Sequence, residues 1–257
     1  SDLAEISLSD ALDRGITVTE IAPMDQPIDA STETTAAFVG RALRGPLDTP
    51  ILIKNSAEFR RRYGGFWPGS SLGSAIEQFF EHGGKQVYVI RVANGARGAM
   101  LCLPALPGVL VLRAVEPGSA EHVRAAVDYD GIDKDNEELF NLTLQRVAPD
   151  TGLVLDQEIF RRLTCDTEDV RYVEDVLLSS SMVRVQAPLP THRPIATSTR
   201  YEDPAQAGTD GLALSDYDLI GSAVKGTGMF ALNQVDDLDL LYLPPPEIGR
   251  ASCRERV

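Results

Sequence analysis

Apolar and polar positions between residues 34 and 92 alternate in an order that predicts strand, strand, helix, helix and strand. Short apolar runs at 36–40 and 51–53, and a nearly continuous one at 87–92, have the length and composition of buried strands. Between them, the stretches 56–65 and 71–84 carry apolar residues at helical spacing. Strands and helices in this order predict a layered α/β domain.

The first predicted helix has clear signals at both ends. Asn55 or Ser56 can cap its start, and Asn55 has capping-box spacing with Glu58. Gly64 can stop the helix in a left-handed turn. The residues predicted to face the core are Phe59 and Tyr63.

The second predicted helix carries a wider apolar face. Ser70 or Ser71 can cap its start, and Gly83 and Gly84 can end it. The residues on its predicted inner face are Leu72, Ala75, Ile76, Phe79 and Phe80.

The remaining chain mixes strand and helix patterns. We predict strands at 110–112, 140–145, 154–160, 182–185 and 238–243, the last of them buried. Residues 154–160 are predicted to form a hairpin with the strand before them, because Pro149, Asp150 and Gly152 favour a turn. The helical spacing of Val170, Val173, Val176 and Leu177 predicts another helix, and His122 lies in a stretch that we interpret as helical.

Composition excludes some classes of partner. The chain has 24 Lys plus Arg and 38 Asp plus Glu, giving a net charge of −14. An acidic surface does not favour binding to nucleic acid, which needs clustered cations. The dense basic run at Arg60–Arg62 is interpreted as a solvated or subunit-facing patch. Three widely spaced cysteines are typical of free thiols in a reducing compartment. No secretion signal and no apolar run long enough to span a membrane is visible.

Sequence motifs for catalysis, cofactor binding or metal binding are weak, and we predict no catalytic, cofactor-binding or metal-binding residue. The P-loop spacing fails around Gly84 and Lys85, which Gln86 follows. The acidic run from Asp128 to Asp135 lacks EF-hand spacing, so we interpret it as a solvated loop or, as the alternative, a weak surface cation site. Three histidines, His82, His122 and His192, have no recognisable nucleophile partner, and Cys165 is interpreted as a small buried side chain.

Before residue 34 the chain forms an acidic, proline-containing arm with one strand-like segment. The β-rich residues of that segment are Ile16, Thr17, Val18, Thr19, Glu20 and Ile21. The arm has little apolar surface of its own, so the strand must pair elsewhere, in its own chain or in a neighbour.

Several motifs, taken in order, resemble the contractile phage tail sheath protein family. The arm reads R-G-I-T-V-T-E-I at 14–21, and the block at 34–92 follows it. Next come R-A-V-E-P-G-S-A at 113–120, G-T-D-G at 208–211 and T-G-M-F-A-L-N-Q-V-D-D-L-D-L-L-Y-L-P at 227–244. The resemblance covers residues 16–246. The arm departs from the family pattern because it lacks the usual proline and aromatic residue.

The resemblance implies a mixed α/β, multi-domain fold with an extended arm, a layered inner domain and an inserted β-rich outer domain. The sheath domain at its end is called subtilisin-like for its fold only; Gly228 stands where a subtilisin would carry its serine. The expected divisions are an arm at 1–33, an inner-domain part at 34–95, an inserted domain at 96–187, an exposed loop at 188–213, the start of the subtilisin-like domain at 214–246 and a non-native tail at 247–257.

The same resemblance implies a structural function without catalysis or cofactors. Identical subunits would form six-membered rings and a helical tube around an inner tail tube protein, with baseplate and tail terminator proteins as further partners. Ile16–Ile21 would add a strand to an adjacent subunit. The particle would be a phage tail or a contractile injection system, encoded by a phage or a prophage and assembled in the bacterial cytoplasm. The subunit would neither bind nucleic acid nor be embedded in a membrane. The alternatives are a non-contractile baseplate or adaptor protein, or a hydrolase of subtilisin-like fold.

Overall fold

A computed structural model of the chain describes residues 35–236 and 238–244. The strands in chain order are β1 (Ala36–Gly40), β2 (Ile51–Ile53), β3 (Val87–Arg91), β4 (Met100–Pro104), β5 (Val109–Ala114), β6 (His122–Asp128), β7 (Phe140–Val147), β8 (Val154–Leu163), β9 (Val183–Gln186) and β10 (Leu240–Tyr242). The helices are α1 (Ser56–Tyr63), α2 (Leu72–Glu81), α3 (Val173–Leu177) and α4 (Asp216–Ile220), together with a 3₁₀ helix at Gly228–Gln234. The structure is therefore of the mixed α/β class, with several sheets and few helices, as predicted.

The first lobe, residues 35–92, 213–236 and 238–244, is built on a four-stranded sheet in the order β10-β1-β3-β2. β1 runs parallel to β10 and β3, whereas β2 is antiparallel to β3. Helices α1 and α2 pack on one face, and α4 and the 3₁₀ helix pack on the other. β3 is thus covered on both faces, as its continuous apolar run predicts.

The ends of α1 and α2 follow from local chemistry. The Glu58 amide donates to the Asn55 side chain at 2.8 Å, and Gly64 ends α1 with a φ of 92°. The Glu58 carboxylate accepts from the Lys54 amide at 2.9 Å, one residue before the expected partner. At α2 the Ser71 side chain makes no cap; instead the Ser70 hydroxyl accepts from the Leu72 amide at 3.2 Å.

The second lobe, residues 97–207, contains two antiparallel three-stranded sheets, β4-β5-β9 and β6-β7-β8. Both sheets contribute to one core, which includes Leu101, Leu112, Val123, Phe140 and Leu144, and α3 packs against it through Val173 and Leu177. β7 and β8 form the predicted hairpin.

The chain enters and leaves the second lobe through two adjacent segments. Antiparallel bridges join Asn94 to Leu212, Arg97 to Thr209 and Met100 to Gln206. The second lobe is therefore inserted into the first, and its two ends lie side by side.

Four sequence expectations need correction. His122 begins strand β6 and is not helical, because Val123, Ala125 and Val127 alternate inward with period two. Val170 is 91% exposed, and the helix predicted there begins only at Val173.

The other two corrections concern burial. Residues 188–213 lack regular elements, as predicted, but they are not simply exposed, since they form backbone bridges to Ala105 and Ala125 as well as to Met100 and Arg97. The predicted buried strand at 238–243 is the short edge strand β10, in which Leu240 is 48% exposed.

The predicted arm strand Ile16–Ile21 and the residues from 247 onward lie outside the described part of the chain. Within that described part, no helix is long and apolar enough to cross a membrane.

Candidate functional site

The described histidines do not form a nucleophile arrangement. His82 lies at the end of α2, where its Nδ1 is 2.7 Å from the Gln78 carbonyl. His122 Nε2 pairs with the exposed Asp203 carboxylate at 3.0 Å. His192 Nδ1 contacts only the adjacent Thr191 hydroxyl among described side chains, at 2.9 Å.

Packing and burial disfavour nucleophilic chemistry at two further positions, 228 and 165. Gly228 has a φ of 62°, and a Cβ there would lie 2.7 Å from the Gly221 nitrogen, so no serine fits without rearrangement. Its amide donates instead to Asp48 Oδ1 at 2.7 Å. Burial raises the pKa of the Cys165 thiol to about 11, which disfavours the reactive thiolate. In the described ranges, no group of three or more His, Cys, Asp or Glu residues could hold a metal ion.

What the structure does bring together is the set of motif segments, which meet where the two lobes touch. Arg91, at the end of β3, is 1% exposed. Its Nε donates to the Ala42 carbonyl at 3.0 Å and its Nη1 to the Gly45 carbonyl at 2.6 Å. The guanidinium therefore holds the R-G-P turn at 44–46 against the sheet.

The E-P-G-S segment at 116–119 packs on the same turn from the side of the second lobe. The Gly45 amide donates to the buried Glu116 carboxylate at 3.1 Å. Gly118 has a φ of 138°, and a Cβ there would lie 2.4 Å from the Leu43 carbonyl oxygen and 3.0 Å from Arg91 Nη2. Only glycine accommodates this close approach.

The G-T-D-G segment at 208–211 completes the contact. Asp210 accepts from the Ser119 amide at 2.8 Å and from its hydroxyl at 2.6 Å. A Cβ on Gly208 would lie 2.2 Å from the Gly118 carbonyl. We call this set of contacts among residues 42–46, 91, 116–119 and 208–211 the lobe junction.

Next to the lobe junction lies a buried ion pair. Arg146 Nε donates to Glu121 Oε1 at 2.7 Å, while Glu121 Oε2 and Arg146 Nη2 are buried without a hydrogen-bond partner among the described atoms. Burial raises the pKa of Glu121, and Arg146 offsets this only in part. The pKa of Arg146 is also raised, because Glu121 and Glu116 together outweigh the lowering caused by burial.

Sequence reasoning missed the buried charges of this region. Arg91 is the one charge in an otherwise apolar run, and Glu116 sits in the A-V-E-P-G motif, so both were visible as unusual positions. Glu121 and Arg146 carry no comparable signal, because their pairing depends on the register Val123↔Arg146 between β6 and β7.

A cleft of about 350 Å³ opens beside the ion pair. The residues that line it come from both lobes: Arg44, Ile51, Ile53, Glu58, Arg61, Arg62, Glu116, Arg146, Leu155 and Asp156. Arg62 and Arg146 each approach Glu116 at 3.8 Å. We call this space the arginine cleft.

Each lobe also presents an open sheet edge. β10 pairs with β1 on one side, and β8 pairs with β7 on one side, while no described strand pairs with their outer sides. β8 is ten residues long and exposes Val154, Leu155 and Ile159 by 40 to 49%. Open edges with exposed apolar side chains are places where another strand can add.

Comparison with known proteins gives partial likenesses of fold. No protein-family model matches the chain, and no curated protein matches it. A sheath tail protein from Listeria innocua matches with a TM-score of 0.46 and 13% identity, covering 85% of this chain and 42% of that one. A sheath tail protein from Desulfitobacterium hafniense matches with a TM-score of 0.43 and 15% identity, covering 89% of this chain and 45% of that one. The chain thus spans less than half of either protein. Both matched proteins are of the tail sheath type that the motif order resembles.

Proposed function

We propose that this chain is part of a structural subunit of a contractile tail sheath. In this proposal, identical subunits form six-membered rings that stack into a helical tube around an inner tail tube, between a baseplate and a tail terminator. The tube shortens to drive the inner tube through a target cell envelope. The subunit's role is mechanical and does not include catalysis.

The observation that carries the proposal is that the family-like motifs meet at the lobe junction. Segments far apart in the chain, at 44–46, 87–92, 116–119 and 208–211, meet at the lobe junction in backbone contacts, glycine packing and charge-assisted hydrogen bonds. Arg44 and Glu116 also line the arginine cleft, but the Glu116 carboxylate accepts from the Gly45 amide and thus joins the two lobes. These residues set the geometry between two lobes, as a subunit that transmits force requires.

The open sheet edges support assembly. An edge strand offers unpaired amide and carbonyl groups to an incoming strand, and backbone hydrogen bonds then supply affinity. Ile16–Ile21 is the segment that we propose to donate such a strand to a neighbouring subunit. Its side chains at alternate positions would determine the register.

Electron microscopy of the full-length protein tests the proposal. We expect striated tubes or rings from the wild-type protein. Deleting residues 1–22 should leave folded, soluble subunits that no longer polymerise, because the donated strand is lost. Val18→Pro should have the same effect by removing one backbone donor, whereas Ala22→Pro, outside the strand, should leave the tubes intact.

Other outcomes would point elsewhere. Unchanged tubes after the deletion would contradict the donated strand. Single capped rings that never extend would favour an adaptor or baseplate protein. A monomer that reacts with a serine-directed probe would favour a hydrolase and overturn the structural role.

A further inference from the structure

The guanidinium groups of the arginine cleft are only partly satisfied by acceptors. Arg44 Nε and Arg146 Nη2 are buried and have no hydrogen-bond partner within the described structure. The Arg146 side chain is only 10% exposed, yet it lines the cleft. Arg61 lines the same space and makes no ion pair or side-chain hydrogen bond with a described residue. The buried nitrogen atoms of Arg44 and Arg146 are closed to an incoming side chain, so an acceptor from outside would meet the exposed Arg61 and Arg62.

The carboxylates of the cleft are already engaged. Glu58 accepts from the Lys54 amide, and Glu116 accepts from the Gly45 amide. Asp156 lies 3.7 Å from Arg146 Nη1 and accepts from the Gln157 amide. Glu121, which lies beside the cleft, pairs with Arg146, whereas the exposed Arg61 has no ion pair and the exposed Arg62 approaches Glu116 only at 3.8 Å. Arg61 and Arg62 are therefore the side chains of the cleft that can accept further negative charge.

Carboxylates without partners occur in the connection between β6 and β7, residues 129–138, which we call the acidic loop. Asp130, Asp135, Glu137 and Glu138 are exposed. In the described part of the chain their carboxylates make no hydrogen bond or ion pair. The loop contains five acidic residues and one cation, Lys134, so a further cationic partner would reduce the repulsion among its carboxylates.

The acidic loop and the arginine cleft lie at opposite ends of one hairpin. Val123 pairs with Arg146 at the cleft end, and Asp128 pairs with Asn141 at the loop end. Strand β6 has seven residues, which at about 3.4 Å per residue places the two ends roughly 20 Å apart. The acidic loop therefore cannot reach the arginine cleft of its own chain while the fold is intact.

We propose that the acidic loop of one copy of this chain docks in the arginine cleft of a second copy. The contact is heterologous, since one copy contributes a loop and the other a cleft. The first copy keeps its own cleft free, and the second copy keeps its own loop free. Repetition of such a contact builds a row of subunits or a closed ring. The proposal rests on the proposed function in requiring self-association, and it adds to the donated strand a second contact, made by described residues.

The test uses variants that neutralise one half of the contact. Arg61→Gln with Arg62→Gln weakens the cleft, and Asp135→Asn with Glu137→Gln and Glu138→Gln weakens the loop. All five side chains are exposed, so both variants should fold. In sedimentation velocity at low salt, we expect each variant alone to self-associate about tenfold or more weakly than wild type.

Mixing the two variants gives the decisive measurement. The intact loop of one fits the intact cleft of the other, so the mixture should form dimers that do not grow further. A single chain carrying Arg61→Glu, Arg62→Glu, Asp135→Lys, Glu137→Lys and Glu138→Lys should regain self-association. The control neutralises three exposed acidic residues elsewhere, Glu81→Gln, Glu168→Gln and Asp175→Asn, and should behave as wild type.

Each remaining outcome contradicts the proposal. A wild-type protein that stays monomeric at low salt, or variants that associate like wild type, would overturn it. If deletion of residues 1–22 removes the association while loop neutralisation does not, the donated strand accounts for the association and the loop contact is overturned. Tubes that persist in every charge variant would overturn this contact and leave the tail sheath proposal standing.

Discussion

Glu121 illustrates how a single buried carboxyl group can link the stability of the fold to pH. Its ordinary pKa of 4.5 is raised because burial disfavours the charged form, although Arg146 lies beside it. In the pH window just above 4.5 the folded state retains this proton to a greater extent than the unfolded state does. The contribution of Glu121 to the free energy of unfolding therefore falls as pH rises through that window.

We predict that Glu121→Gln removes this part of the pH dependence. The amide keeps an acceptor for Arg146 Nε and carries no charge to desolvate. The free energy of unfolding in urea, measured between about pH 5 and pH 7, should decline more for the wild type than for the variant. Equal slopes for the two proteins would contradict the raised pKa.

Glu77 provides the matched comparison of opposite sign. A hydrogen bond and ion pair with Arg60 at 2.8 Å lower its pKa. Its stabilising contribution is present above 4.5 and is lost as pH falls below that value. Glu77→Gln should accordingly leave the change of the free energy of unfolding with pH above 4.5 as it is in the wild type.

At the scale of elements, apolar spacing and capping residues predicted the helices and strands whose positions depend on nearby residues. β1, β2, α1, α2 and β3 lie where the apolar spacing and the capping residues place them. β4 and β6 were missed, because their pairing partners come from β5 and β7 and short alternating runs do not reveal which strand they join. β10 was expected to be buried because its run L-D-L-L-Y-L is apolar, yet it lies at a sheet edge.

The cap of α1 gives a prediction for one element. Asn55→Ala removes the side-chain acceptor of the Glu58 amide and should lower the free energy of unfolding by about 1 kcal/mol. Asn55→Asp and Asn55→Ser keep an acceptor and should stay within a few tenths of a kcal/mol of wild type. Urea unfolding measures both, and equal losses for Ala and Asp would show that the cap is not the cause.

At the scale of the whole molecule, the arrangement of the two lobes could not be predicted from the sequence. The E-P-G-S and G-T-D-G motifs were recognised separately, but nothing in their spacing shows that Asp210 contacts Ser119. Burial of Arg91 likewise depends on a turn more than forty residues earlier. Long-range contacts between short polar segments carry no periodic signal, so only the folded chain reveals the lobe junction.

The lobe junction makes a prediction about glycine. Gly118→Ala places a methyl group against the Leu43 carbonyl at an unfavourable φ and should lower the free energy of unfolding by roughly 1–3 kcal/mol. Gly152→Ala is the control, because Gly152 also has a positive φ, 68°, but nothing lies within 4 Å of its Cβ position. The loss for Gly118→Ala should exceed that for Gly152→Ala in urea unfolding. Equal losses would mean that backbone strain alone, and not the close approach of the lobes, sets the cost.

The adjacent entry and exit of the second lobe have a consequence for engineering and for divergence. Arg97 and Thr209 are bridged partners, so the two cut points are about 5 Å apart. A short turn can close that gap, and a foreign domain whose termini lie close together can be grafted across it. The inserted lobe can thus change in size while the route of the chain through the four-stranded sheet stays the same, as long as the contact of Glu116 with the Gly45 amide is kept.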